Sequence, residues 1–289
     1  MSLARILAAI DGMTGSGAAL DAALRLGKQH GARVELLHVE IDAVTVAPIV
    51  GEGMSGAAVE QIIQSLQEQA KARLAAARAL YQSRCVEAGL PLVEPDEPLK
   101  AGTFAVSFRH VVGREVDHVL RHGRVSDLVV MARPGDEPEE TASPAFDAIL
   151  FDSGRPVLLV PGAPVERLGE TVALAWNRSR EAVRATAMAL PLLGAAKKVV
   201  ILTGRDSDDA ARPSMLADYL AGHGIEAKTW AFTPGNGSMG DQLLAEAGKA
   251  GADLLVMGAY GHSRLRELVL GGATRAVLSH GDLPVLLAH

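Results

Sequence analysis

Asp127-Leu128-Val129-Val130-Met131 and Asp253-Leu254-Leu255-Val256-Met257 are two versions of one segment, an acid followed by four apolar residues ending in methionine. Each is followed at a distance by a second matching run, Arg155-Pro156-Val157-Leu158-Leu159-Val160 and Leu283-Pro284-Val285-Leu286-Leu287-Ala288. Runs apolar at every position are what a strand needs when helices cover both faces of its sheet. Working outward, Arg5-Ile6-Leu7-Ala8-Ala9-Ile10-Asp11 is a first strand, and an Ala/Leu helix runs from Gly17 to Gly31. Val34-Glu35-Leu36-Leu37-His38-Val39 is a second strand. The later half repeats the order, with Thr171-Val172-Ala173-Leu174-Ala175-Trp176-Asn177, a helix from Arg180 to Leu193, and Val199-Val200-Ile201-Leu202. Strands alternating with helices of ten or more residues predict right-handed βαβ crossovers and open parallel sheets. The expectation is therefore an α/β chain of two tandem domains, 1–163 and 169–289. They are divided near Pro161-Gly162-Ala163-Pro164, where prolines and glycine break both periods.

The first half is longer than the second. Its excess is a Gly-rich loop, Gly51 to Gly56, and a helix predicted from about Val59 to Glu87, ended by Gly89 and Pro91. Read alone, it is an enlarged second crossover helix without chemistry of its own.

Composition narrows the function classes. Apolar residues make up 48% and aromatics only 3%, so the core is built from Ala, Val, Leu and Ile, as suits helices on parallel strands. A net charge of −6 argues against a nucleic-acid partner, which calls for a basic field. Cys85 is the one cysteine, which leaves no disulfide framework and no cysteine zinc site. No apolar run approaches the ~20 residues that span a bilayer, and Met1-Ser2-Leu3-Ala4-Arg5 lacks a signal-peptide layout. A soluble protein of a reducing cytoplasm, with no membrane partner, is expected.

The chemistry concentrates after Met257. Gly258-Ala259-Tyr260-Gly261 is followed, nine residues on, by Gly271-Gly272-Ala273-Thr274, a G-x2-G-x9-G pattern between a strand and a helix. Glycines there leave backbone N–H groups uncovered, a nest suited to phosphate oxygens beside the positive end of a helix. This pattern resembles the nucleotide loop of the universal stress protein family, and the duplication resembles members in which two such domains are fused into an internal pseudo-dimer.

The resemblance implies five-stranded sheets ordered 3-2-1-4-5, with adenine nucleotide across the carboxyl ends of the first and fourth strands, where strand order reverses. By position, Gly258 and Gly261 would make room for phosphates, Gly271 and Gly272 would present N–H groups, and Ala273 and Thr274 would complete the turn. Asn177 would read the base or ribose. The ligand so implied is ATP, with Mg2+. Two positions depart from the pattern: Gly272 stands where the family has a hydroxyl residue, which Thr274 replaces only in part, and Asn177 stands where it has an acid. Trp176 either stacks on adenine or fills its place. His262, Arg264 and Arg266 in the spacer are candidate phosphate partners or a solvated face.

The first half lacks the nest. Met131 is followed by Ala132-Arg133-Pro134-Gly135-Asp136-Glu137-Pro138-Glu139-Glu140, in which acids and prolines replace all but one motif glycine; only Asp11 survives of the family site. That half is expected to be a structural partner.

Two glycine runs imitate dinucleotide fingerprints. Gly235-Asn236-Gly237-Ser238-Met239-Gly240 follows a third strand and has no closing acid. Gly12-x-x-Gly15-x-Gly17 follows a first strand, and Glu40 closes the second. His118 and His122 lie at helical i, i+4 spacing with no third metal ligand in view. No persuasive catalytic constellation emerges, so a non-enzymatic stress-response protein is expected, with slow ATP hydrolysis left open. The fifth strand, Leu283 to His289, is read as an edge for further homodimerisation. Two alternatives remain: an interaction module with a vestigial loop, and an NAD(P)-dependent enzyme using Gly12 to Gly17.

Overall fold

The computed structural model describes residues 3–42, 55–133, 144–204, 214–259, 277 and 282–289. The first half comprises β1 (Arg5–Ala9), α1 (Ser16–His30), β2 (Arg33–Glu40), α2 (Gly56–Tyr81) running on as a π-helical turn through Val86, β3 (Ala105–Val112), α3 (Glu115–Gly123), β4 (Leu128–Ala132), α4 (Pro144–Asp152) and β5 (Val157–Val160). The second comprises β6 (Thr171–Ala175), α5 (Arg180–Ala195), β7 (Lys198–Gly204), α6 (Ser214–Gly222), β8 (Ala227–Phe232), α7 (Met239–Lys249), β9 (Leu254–Gly258) and β10 (Val285–Ala288).

Each half has the expected 3-2-1-4-5 order, all parallel. The two sheets are not separate, however. β5 and β10 pair antiparallel, Val285 with Leu159 and Leu287 with Val157, so the strands form one ten-stranded sheet. The edge formed by Leu283 to His289, read from sequence as free for another chain, is consumed inside this one. The seam is continuous in the core as well. One apolar layer gathers Leu20 and Leu26 of α1, Ala77 of α2, Ala189 and Leu193 of α5 and Leu220 of α6; the other gathers Val119, Phe146, Ile149, Leu243 and Ala247. Both layers run across the β5–β10 seam, so separating the halves would expose apolar surface on both faces.

The paired aspartates that open the sequence motif have one task. Asp127 accepts from the Ala4 and Arg5 amides at 2.8 and 3.0 Å, while its own N–H donates to the Arg5 carbonyl. Asp253 does the same with Thr171. Each satisfies the otherwise orphaned start of a first strand and sets its register against the fourth. Helix starts are equally local: Ser179 caps α5 through Ala182 and Ser238 caps α7 through Asp241, both at 3.1 Å. At the first-half edge, Pro91 and Val93 bond to β3 through Val106, and the Arg33 guanidinium holds the carbonyls of Glu94, Pro95 and Glu97. That strap covers β3, as edge strands require.

Candidate functional site

In each half the chain winds out from the first strand in one direction and then returns to place the fourth strand on its other side. The crevice at the carboxyl ends of these two strands is where an open α/β sheet takes its ligands. In the second half, Asn177 leaves β6 there and Gly258 ends β9, the adjacent strand. The Asn177 carboxamide is exposed, and its Oδ1 accepts from the Ser179 amide at 3.0 Å, turning the chain into α5. Arg178, between them, adopts φ 62°, the one positive-φ non-glycine among the described residues. Trp176 is half-buried and packs against the apolar layer that includes Ala185 and Ala189 of α5.

Gly258 has a reason to be glycine that needs no ligand. A Cβ at this position would stand 2.5 Å from the Ala182 nitrogen and 2.7 Å from Glu181 Cβ, on the first turn of α5. The equivalent contact in the first half exchanges the roles. There the fourth strand ends in Ala132, and its Cβ faces Gly15, which precedes α1. One of the two approaching backbones must lack a side chain, and each half removes a different one. Gly261, Gly271, Gly272, Ala273 and Thr274, with His262, Arg264 and Arg266, lie outside the described residues.

The first-half crevice is filled by the chain itself. Gly12, φ 77°, lies directly under α2: a Cβ there would overlap the Arg73 carbonyl. Asp11 is turned inward, its Oδ1 accepting from Met13 N–H at 2.8 Å and from Ser16 Oγ at 2.6 Å. Glu115, opening α3, has its carboxyl pushed up by burial and then by the Asp11 charge, with Arg73 offsetting in part. The long helix that seemed only an enlarged crossover is thus the cover of this crevice. Nothing in its periodicity marks that role, because the contact is made by backbone.

The imitations resolve into structure. Gln242 donates to the Gly235 carbonyl at 3.1 Å and accepts from its N–H at 2.7 Å, so the Gly235–Gly240 run is a helix cap whose leading amide is already used. Glu40, the acid that would hold a ribose in the Gly12–Gly17 reading, bonds His110 at 2.8 Å. His118 and His122 do not converge. The His122 Nδ1 lies 2.9 Å from Glu35 Oε1, and His118 packs against Gly113. Among the described residues no group of three or more His, Cys, Asp or Glu is placed to hold a metal. Cys85 is buried, and burial pushes its thiol up to about 11, which keeps it protonated at neutral pH.

Glu35, which sequence alone did not single out, is a buried acid with three basic partners. Its side chain is only 3% exposed and meets Arg109 Nε at 3.1 Å, His122 and, at 3.7 Å, Arg5. Burial alone would raise its carboxyl, but the hydrogen bonds from His122 and Arg109 outweigh it and hold the group below the usual range. The alternation of β2 hid this: an acid in an apolar strand has no partner until β1, β3 and α3 are placed around it.

Residues 203–289 match the model of the universal stress protein family. That segment, most of the second half, carries a universal stress protein domain. A universal stress protein of Synechocystis sp. is 59% identical over 34 residues, 12% of this chain, and the match spans only 12% of that relative's length. Among solved structures, a universal stress protein from Archaeoglobus fulgidus is similar over 98% of this chain and 97% of that one, with a TM-score of 0.66 at 17% identity. A putative universal stress protein from Pseudomonas aeruginosa gives 0.58 and 17%, over 99% and 93%. These likenesses show the tandem fold of the universal stress protein, first half included.

Proposed function

We propose that this universal stress protein binds an adenine nucleotide, ATP with Mg2+, in its second half only, and works as a regulated binding protein rather than an enzyme. The observation that carries the reading is the asymmetry of the two crevices. In the first, α2 lies on Gly12 and Asp11 is spent on Ser16 and Met13. In the second, Asn177 is exposed beside the strand end that leads into the G-x2-G-x9-G segment. Asn177 would address base or ribose, and the amides of Gly271 and Gly272 the phosphates. Bound nucleotide would order the loop and shift the population of a partner-binding surface, in a stress response of the cytoplasm. Among the described residues no helix is long and apolar enough to cross a membrane. Self-association of tandem chains belongs to the same proposal, but it would need a surface other than β10, which is already paired with β5.

The test is calorimetric titration of nucleotide-stripped protein with ATP, with and without Mg2+, beside Gly271→Val. Micromolar binding abolished by that substitution supports the reading. A folded wild-type protein that takes up no nucleotide refutes it and leaves an interaction module whose first half is a structural partner.

A further inference from the structure

The two halves differ at one junction in a way that their shared topology does not require. After the fourth strand, Arg133 in the first half and Ala259 in the second make equivalent backbone bonds, Arg133 N–H to the Val160 carbonyl at 2.7 Å and Ala259 N–H to the Ala288 carbonyl at 2.9 Å. The residue after the fifth strand is then Pro161 in the first half and His289 in the second. Proline has no N–H and no side-chain donor. His289 Nδ1 reaches the Ala259 carbonyl at 3.1 Å. Ala259 is fully buried, so both its amide and its carbonyl are held by one short stretch, Ala288-His289, immediately before the loop begins at Tyr260. A fixed carbonyl fixes the direction in which the chain leaves Ala259.

The His289 ring is itself held from the other half. Phe151, in the last turn of α4, meets it edge-on with centroids 4.9 Å apart and planes at 75°. α4 is anchored through Phe146, Ile149 and Leu150, all buried in the shared core. The antiparallel β5–β10 seam makes this possible, because it brings the foot of the first half beside the carboxyl edge of the second.

We propose that His289 is a positioning residue for the nucleotide loop, and that the first half sets the affinity of the second through Phe151. The inference rests on the nucleotide reading above. The closed first half then has a regulatory use: whatever shifts α4 shifts the ring that orients the loop, and by reciprocity bound nucleotide stiffens α4.

The test measures ATP affinity and melting temperature together in the full-length, nucleotide-stripped protein. His289→Phe keeps an aromatic ring against Phe151 and removes the donor; affinity is expected to fall about fivefold, the worth of one neutral hydrogen bond. His289→Asn, whose amide nitrogen takes the place of Nδ1, restores most of it. Phe151→Leu weakens binding to a similar extent, and adding it to His289→Phe costs nothing more, since both act through one contact. In hydrogen exchange, ATP slows the last turn of α4 in the wild type but not in His289→Phe. A purely structural role would lower the melting temperature and leave affinity unmoved. Wild-type binding with unchanged affinity in every variant overturns this inference alone, while a wild type that binds nothing overturns the nucleotide reading and this with it.

Discussion

Replacing Gly258 by Ala separates two explanations of one glycine. If the residue is small so that phosphate can approach, an added methyl group should leave the unliganded fold untouched. The structure assigns it a packing role instead. The new Cβ would lie 2.5 Å from both the Ala182 nitrogen and the Glu181 carbonyl carbon, whereas carbon contacts have their optimum at about 3.5–4.0 Å. The colliding atoms are backbone in the first turn of α5, pinned by the Ser179 cap, so no side-chain rotation relieves the clash. Either β9 or α5 must move by about 1 Å, and overpacking of this kind costs about 1–3 kcal/mol. We expect Gly258→Ala to lower the urea midpoint by that amount in nucleotide-free protein, measured by far-UV circular dichroism. The mirror substitution, Ala132→Gly in the first half, relieves no clash and should cost under about 1 kcal/mol from backbone entropy. An unliganded Gly258→Ala protein as stable as wild type would refute the packing argument and return this glycine to the ligand.

Two further predictions concern acids of the first half. Glu35→Gln should destabilise by about 3 kcal/mol at pH 7, because Arg5, Arg109 and His122 lose their shared anion. Its carboxyl is depressed in the folded protein, so its contribution is present above the unfolded carboxylate range and is lost as pH falls through the lowered folded value. The gap between wild type and variant in urea midpoints should therefore close on acidification, and a constant gap would contradict the assignment. Glu115→Gln should act in the opposite direction. Its carboxyl is raised, so the charged form opposes folding at neutral pH and that penalty fades as pH falls toward the usual value. The variant should be more stable than wild type at pH 8 and indistinguishable near pH 4, as thermal melts would show.

The fold was legible because parallel strands covered on both faces leave uninterrupted apolar runs, and because this chain writes them twice. Met131 with Met257, and the two Pro-Val-Leu-Leu segments, fixed the fourth and fifth strands of both sheets. The β5–β10 seam was not legible, since Val157–Val160 and Val285–Ala288 are apolar for parallel neighbours whether or not they meet each other. At the strand ends of the two crevices, particular residues have structural roles that the sequence did not show. Gly258 invites a ligand explanation and has a packing one. Asp11 looks preserved for a ligand and is spent on the start of α1. The α2 cover and the Glu35 cluster join residues far apart in the chain, through backbone contact in one case and cross-strand charge in the other, and neither leaves a periodic trace.

Duplication lets two copies of one fold diverge at the same crevice, and the two halves show how little has to change. The apolar strands, the aspartates that fasten strand four to strand one, and the turn after the first strand are common to both halves. The turn even keeps the same left-handed backbone, φ 77° at Gly12 and φ 62° at Arg178. What differs is whether a side chain can be borne there. Under α2 the position must be glycine, because the Arg73 carbonyl occupies the space a Cβ would take. After β6 the same backbone carries an arginine, although a left-handed non-glycine residue costs about 1–2 kcal/mol. A covering helix and a side chain at this turn exclude each other. An arginine in the left-handed conformation is therefore what the turn after β6 permits and the α2-covered turn forbids, and the nucleotide site proposed for the second half rests on that asymmetry.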